Sequence, residues 1–166
     1  AHCPELKFSS DFIVGFLGES DQDFENTLKL ARDIEFIQSY SFKYSSRPGT
    51  PGALIEDQVP EHVKSERLAM LQNLLSQQQK NFNKRFIGGV LPVLFDRRGR
   101  KKNQITGRSP FMQPVHVQDS DEYFGEIVNV NVLGTTSNSL SGKILINEDS
   151  PHKLNLLPVS SERNCV

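Results

Sequence analysis

The sequence predicts an α+β protein made of three successive parts, and three observations predict it. Residues 1–58 read β-α-β, and residues 59–87 carry one long helical stripe. Residues 88–147 hold five short strand patterns separated by glycine-containing turns, with no helical period among them. Residues 148–166 show no periodicity and are expected to form a flexible tail.

The first strand signal is Phe12-Ile13-Val14-Gly15-Phe16, apolar on both faces, as expected for a parallel strand covered on both sides. Ser20 stands three residues before Asp23, the spacing of a capping box that opens a helix. Phe24, Leu28 and Ala31, with Leu30 and Ile34 beside them, then form a core-facing stripe that ends near Phe36. Residues 37–44 alternate, with Gln38, Tyr40, Phe42 and Tyr44 on one face and Ile37, Ser39, Ser41 and Lys43 on the other. Pro48, Gly49 and Pro51 stop that strand, because proline removes a ladder donor and glycine favours a turn. A polar loop at the carboxyl end of a strand is where α/β sheets place ligand sites. Two parallel strands joined by one helix need a larger sheet to be stable, so this part reads as incomplete by itself.

The second part is a helix from about Pro60 to Phe86. Pro60 suits a first turn, Glu61 complements the dipole, and Gly88-Gly89 ends the run. Leu68, Leu71, Leu75, Phe82 and Phe86 recur at spacings of three and four, with Gln78 filling the gap. The stripe is short and glutamine-rich, which favours a helix packed along another domain over a coiled coil.

The third part offers strands at Val90 to Phe95, Gln104 to Arg108, Val115 to Gln118, Phe124 to Leu133 and Ser139 to Ile146. Five short strands with glycine turns predict a small antiparallel β-barrel of the oligonucleotide-binding type. Its first two strands are joined by the basic turn Asp96-Arg97-Arg98-Gly99-Arg100-Lys101-Lys102.

A hydrophobic content of 36% with 23% charged residues describes a soluble globular protein, and no stretch is long enough to span a bilayer. The amino-terminal residues have neither the basic head nor the apolar core of a signal peptide, and a reducing cytoplasm is the expected setting. Cys3 and Cys165 lie at opposite ends and form no metal spacing. The net charge of −1 hides an asymmetry: the segment from Lys84 to Arg108 carries +7 and the remainder −8. A basic segment on an acidic body points to a polyanion, and nucleic acid is favoured over a merely solvated hairpin tip.

Catalytic spacing is absent. Asp11 and Glu19 fall at opposite ends of a strand and cannot share a proton, and His2, His62, His116 and His152 match no ligand spacing. Gly15-Phe16-Leu17-Gly18-Glu19 lies between a buried strand and a helix, where backbone amides can hold an anion or an adenine edge. With only two glycines, a plain tight strand-to-helix turn is the favoured reading of it. No phosphate-loop lysine follows, which argues against a nucleotide hydrolase.

Three runs in order, Ser9 to Glu19, Asp23 to Leu28 and Ser41 to Pro51, resemble the carboxyl half of the radical S-adenosylmethionine methylthiotransferases. Gln104-Ile105-Thr106-Gly107-Arg108 and Asn138-Ser139-Leu140-Ser141-Gly142 are similar to the RNA-binding TRAM barrel of that family. Within the family, Ser41-Phe42-Lys43-Tyr44 before Arg47-Pro48-Gly49-Thr50 resembles the branch that modifies isopentenyladenosine beside the tRNA anticodon. The branch acting on threonylcarbamoyladenosine ranks second and the branch acting on a ribosomal protein third. A non-enzymatic RNA-binding module stays open as an alternative.

The resemblance implies the last βα units of a partial TIM-type barrel, a linking helix and the TRAM barrel. It implies S-adenosylmethionine bound at Val14, Gly15, Phe16, Gly18 and Glu19, and a substrate loop of Tyr44, Arg47, Pro48, Gly49 and Thr50. It also implies tRNA anticodon stem-loop contacts by Arg97, Arg98, Arg100, Lys101, Lys102 and Arg108 in a monomeric cytoplasmic enzyme without membrane contact. Leu17 stands where the family has proline, and weaker cofactor binding is expected from it. The family also uses two 4Fe-4S clusters held by grouped cysteines, which this sequence lacks. No catalytic residue and no metal ligand is therefore expected within this chain, which is expected to be part of a longer enzyme and inactive alone.

Overall fold

Ser20 opens the first helix as its spacing to Asp23 requires. Its Oγ accepts from the Asp23 N–H at 3.2 Å, and the Asp23 carboxylate accepts from the Ser20 N–H at 3.0 Å. The computed structural model describes residues 6–55, 57–118 and 121–145. Strand β1 (Ser9–Val14), helix α1 (Asp21–Ile34) and strand β2 (Gln38–Lys43) form the β-α-β unit. The two strands pair in parallel from Ser9↔Gln38 to Val14↔Lys43. Phe12 and Val14 face α1 and are buried with Phe24, Leu28 and Ala31, whereas Ile13, Tyr40 and Phe42 stay exposed on the opposite face.

Helix α2 (Glu61–Lys84) packs on this unit through Leu71 and Leu75, which share a core with Phe12, Phe24 and Leu28. Pro60 is its N-cap rather than its first helical residue. Gln78, which interrupts the apolar stripe, donates from Nε2 to the Ala31 carbonyl at 2.7 Å and so satisfies the carboxyl end of α1. At its far end α2 meets the barrel. Phe82, Phe86 and Phe111 form three ring contacts of 5.1–5.4 Å. Gln113 Nε2 donates to the buried Asn83 Oδ1 at 2.6 Å, and Ser109 Oγ donates to Gln113 Oε1 at 2.9 Å.

The barrel comprises β3 (Val90–Arg98), β4 (Gln104–Arg108), β5 (Pro114–Gln118), β6 (Ile127–Thr135) and β7 (Leu140–Ile144), closed in the order β3-β4-β5-β7-β6. Its interior is filled by residues such as Val93, Phe95, Ile105, Val117, Val130 and Leu140. Two expectations need correction. The barrel is mixed rather than wholly antiparallel, because β5 and β7 run parallel while the other four pairings are antiparallel. A closed ring with an odd number of strands cannot alternate direction all the way round, so one parallel pair is unavoidable. The strand expected from Phe124 begins at Ile127 instead, because Gly125 adopts φ +86° and turns the chain just before it. The tail expected over residues 148–166 lies outside the described residues, as do Cys3 and Cys165.

Candidate functional site

Parallel pairing brings the carboxyl ends of β1 and β2 side by side, so the two segments expected to bind ligands meet there. The Tyr44 N–H donates to the Val14 carbonyl at 2.8 Å, extending the ladder into the loops. Phe16 then stands edge-on to Tyr44 with ring centroids 4.9 Å apart, and half of the Phe16 side-chain surface remains exposed. Gly18 is exposed with open space where a side chain would project. Phe16 and Gly18 thus leave an exposed aromatic ring and open ground in the same turn.

Val14 and Glu19 play a different part from Phe16 and Gly18. The Val14 side chain is fully buried in the core beneath the turn. Gly15 adopts φ +68°, and its N–H donates to Glu19 Oε2 at 2.8 Å. The space a β-carbon at Gly15 would need is filled by the Lys64 side chain, so glycine is required there on two counts. Glu19 is also gripped by Arg67, whose Nη1 donates to the Glu19 Oε2 at 2.6 Å and to the Glu19 carbonyl at 3.0 Å. The other Arg67 nitrogen, Nη2, donates to Asp21 at 2.7 Å. Burial works against the Arg67 charge, but the Asp21 and Glu19 carboxylates outweigh it and raise its pKa. Across the turn that carries Leu17, the Glu19 N–H donates to the Phe16 carbonyl at 3.0 Å.

Arg67 and Lys64 were not apparent as site residues in the sequence. Four residues before Leu71 stands Arg67, and three before that stands Lys64, so both continue the buried stripe of α2. Lys64 also places Nζ 5.5 Å from the centre of the Tyr44 ring. Their place on that stripe was the available signal, masked by their charge.

The 44–50 segment leaves the sheet as an exposed loop. The Thr50 hydroxyl donates to the Arg47 carbonyl at 2.8 Å and its N–H does so at 3.2 Å, which closes the turn through Pro48 and Gly49. The Arg47 guanidinium points to solvent and forms no ion pair among the described residues.

Five of the basic residues gather at the β3–β4 end of the barrel, whereas Arg108 stands at the far end of β4, opposite Leu94. Arg97 and Arg98 lie on β3, and Arg100, Lys101 and Lys102 occupy the exposed turn into β4. Arg97 forks onto Asp96 through Nε and Nη2, both at 3.0 Å, which holds the Asp96 carboxyl below its usual pKa with help from Arg108. Arg108 is half-buried and donates to the Met112 carbonyl at 3.0 Å. On the neighbouring outer face of β4 and β5, Thr106 Oγ1 and His116 Nδ1 are 2.9 Å apart. Burial, and then the Arg100 charge, push the His116 pKa down and favour the neutral ring. Basic charge clustered on a small closed barrel is the footprint of a nucleic-acid contact.

The protein is thus an α+β chain whose barrel has the form of an RNA-binding module. A family model described as the TRAM domain matches residues 84–145. The chain is 57% identical over 141 residues to a tRNA-2-methylthio-N(6)-dimethylallyladenosine synthase of Wolbachia pipientis subsp. Culex pipiens, covering 84% of this chain and 32% of that relative. It is 52% identical over 143 residues to the synthase of the same name from Rickettsia felis, with 86% and 32% covered. The TRAM match falls on the barrel, and the similarity to these synthases runs along most of the chain. It spans about a third of the length of the curated relatives it matches.

Among the described residues no helix is long and apolar enough to cross a membrane, and no three His, Cys, Asp or Glu side chains come together as a metal site. A cysteine-held iron–sulfur cluster does not fit this chain, whose two cysteines fall short of the three or four thiolates a cluster takes.

Proposed function

We propose that this chain supplies the tRNA-binding barrel and part of the S-adenosylmethionine site of a cytoplasmic, monomeric enzyme that methylthiolates isopentenyladenosine beside the tRNA anticodon. The observation that carries the reading is 57% identity over 141 residues, a stretch long enough to span both the 44–50 loop and the barrel. The relatives' name specifies the dimethylallyladenosine nucleotide, which favours this branch over the threonylcarbamoyladenosine one.

In this reading Phe16, Tyr44 and Gly18 border the adenosyl group, while Val14, Gly15 and Glu19 set the shape of the turn beneath it. When bound, and given an electron from a cluster held outside this chain, S-adenosylmethionine would supply the radical for the adenine carbon and the methyl group of the product. The exposed Arg47 is placed to hold a phosphate or carboxylate by a bidentate fork. Arg97, Arg98, Arg100, Lys101, Lys102 and Arg108 contact the anticodon stem-loop backbone, which positions the substrate without reading its sequence. The clusters belong to polypeptide other than this chain, so the chain alone binds tRNA and does not turn over.

The test is an anisotropy titration of the 166-residue chain with an anticodon stem-loop across a salt series. Arg100→Glu, Lys101→Glu and Lys102→Glu together should weaken binding and flatten the salt slope by about 0.7–0.9 for each phosphate they cease to neutralise. Unchanged affinity and slope in the triple variant would remove the RNA role from this turn.

A further inference from the structure

The end of β3 beside the basic turn is built more elaborately than a phosphate contact needs. Its register against β4 shifts between Phe95 and Arg97, a bulge that keeps Phe95 in the core while Asp96, Arg97 and Arg98 are exposed. The segment before β6 is stitched to this bulge twice. The Gly125 N–H donates to the Phe95 carbonyl at 2.8 Å, and the Phe95 N–H donates to the Glu126 carbonyl at 3.0 Å. The turn at Gly125 leaves Phe124 with 51% of its surface exposed, although the backbone on its carboxyl side is fixed. Phe124 joins no ring pair among the described residues, unlike Phe16, which leans on Tyr44.

Phe124, Asp96, Arg97 and Arg98 together line an open groove of about 550 Å³. Its chemistry is specific. One aromatic face is held on a fixed backbone, and one guanidinium is held by a two-point fork to Asp96. A second arginine lies beside them. Aromatic faces and arginines alongside a charged track are how proteins take hold of unpaired bases, because every base offers a π-face once it leaves the helical stack. A paired duplex offers no such face except at its ends.

We propose that this groove is a single-nucleotide subsite in which Phe124 stacks on one unpaired base of bound RNA while Arg97 and Arg98 engage the flanking phosphates. The proposal rests on the barrel binding RNA and adds that one contact recognises a base outside a helix. It separates Phe124 from the basic turn: the turn supplies salt-dependent affinity, and the ring supplies preference for unpaired RNA.

The chain contains no tryptophan, so Phe124→Trp introduces its sole indole. Adding an anticodon stem-loop should quench that fluorescence, whereas a capped duplex of equal charge should bind without quenching. Phe124→Ala should weaken stem-loop binding about 5- to 100-fold, with duplex affinity and salt slope unchanged. Stem-loop binding that Phe124→Ala leaves intact, or equal quenching by both RNAs, overturns the subsite while the barrel still binds RNA. A wild-type chain that binds neither RNA overturns the RNA reading itself, and the subsite with it.

Discussion

In Arg67→Ala the guanidinium that ties α2 to the turn after β1 disappears, while Glu19 stays behind with 11% of its side chain exposed. The three hydrogen bonds that go with it are unequal. Asp21 is 98% exposed, so water takes the place of the guanidinium there at little cost. Glu19 is the costly partner, since its carboxylate keeps only the Gly15 N–H as a donor and its carbonyl loses one as well. Removing one member of a buried ion pair costs about 3–5 kcal/mol, and the residual access of water to Glu19 places this case near 3 kcal/mol. Against a domain stability of about 5–15 kcal/mol that is a large share. Adding Glu19→Gln should recover about half of the loss, because the amide oxygen still accepts from Gly15 and no buried charge remains. Urea unfolding of wild type, both single variants and the double variant measures the coupling, and amide exchange at Gly15 locates it. A loss below about 0.5 kcal/mol in Arg67→Ala, the range of ordinary surface substitutions, would refute the argument. Equal stability of the single Arg67→Ala and double variants would refute it too.

Two further predictions concern the barrel. Gly107→Ala should lower barrel stability by about 1–3 kcal/mol in thermal unfolding, because the new β-carbon would meet the Leu94 backbone carbonyl and the Val93 side chain, and strand backbone does not yield easily. His116 should titrate below its ordinary 6.5 in an NMR series. A depressed folded pKa makes its stabilising contribution complete above pH 6.5 and lost as pH falls through the folded value, and Arg100→Ala should raise the midpoint only partly, since burial is the larger cause.

Local signals in the sequence carried furthest where the chemistry is local. Ser20 and Asp23 form the expected capping box, and Gln104 to Arg108 is a strand with the expected bounds. The parallel β5–β7 pair was illegible because ring closure belongs to all five strands at once and to none of their sequences. Arg67 was illegible for a related reason. Its partners lie 46 and 48 residues away, and an arginine on a glutamine-rich helix reads as solvated until tertiary packing buries it. Arg97 read as part of the basic turn after Phe95, but the strand continues to Arg98, where neighbours usually point to opposite faces. The bulge after Phe95 breaks that alternation and lets Arg97 meet Asp96.

Helix α2 gives these scattered features a common frame. Lys64 and Arg67 hold the turn after β1 from one end of it, and Phe82 and Asn83 hold the loop between β4 and β5 from the other. Lys64 and Asn83 are nineteen residues apart, about 29 Å at the helical rise of 1.5 Å per residue. Between them Leu71 and Leu75 are packed against α1 and β1, so the helix is clamped along its length and not only at its tips. A clamped helix transmits position rather than flexing, so under the proposed function an RNA bound by the barrel would be held at a set distance from the Phe16–Tyr44 rings. The polar residues on the α2 stripe are therefore not failures of an apolar pattern. Arg67 and Gln78 donate to the Glu19 and Ala31 groups and Asn83 accepts from Gln113, none of which a leucine could do.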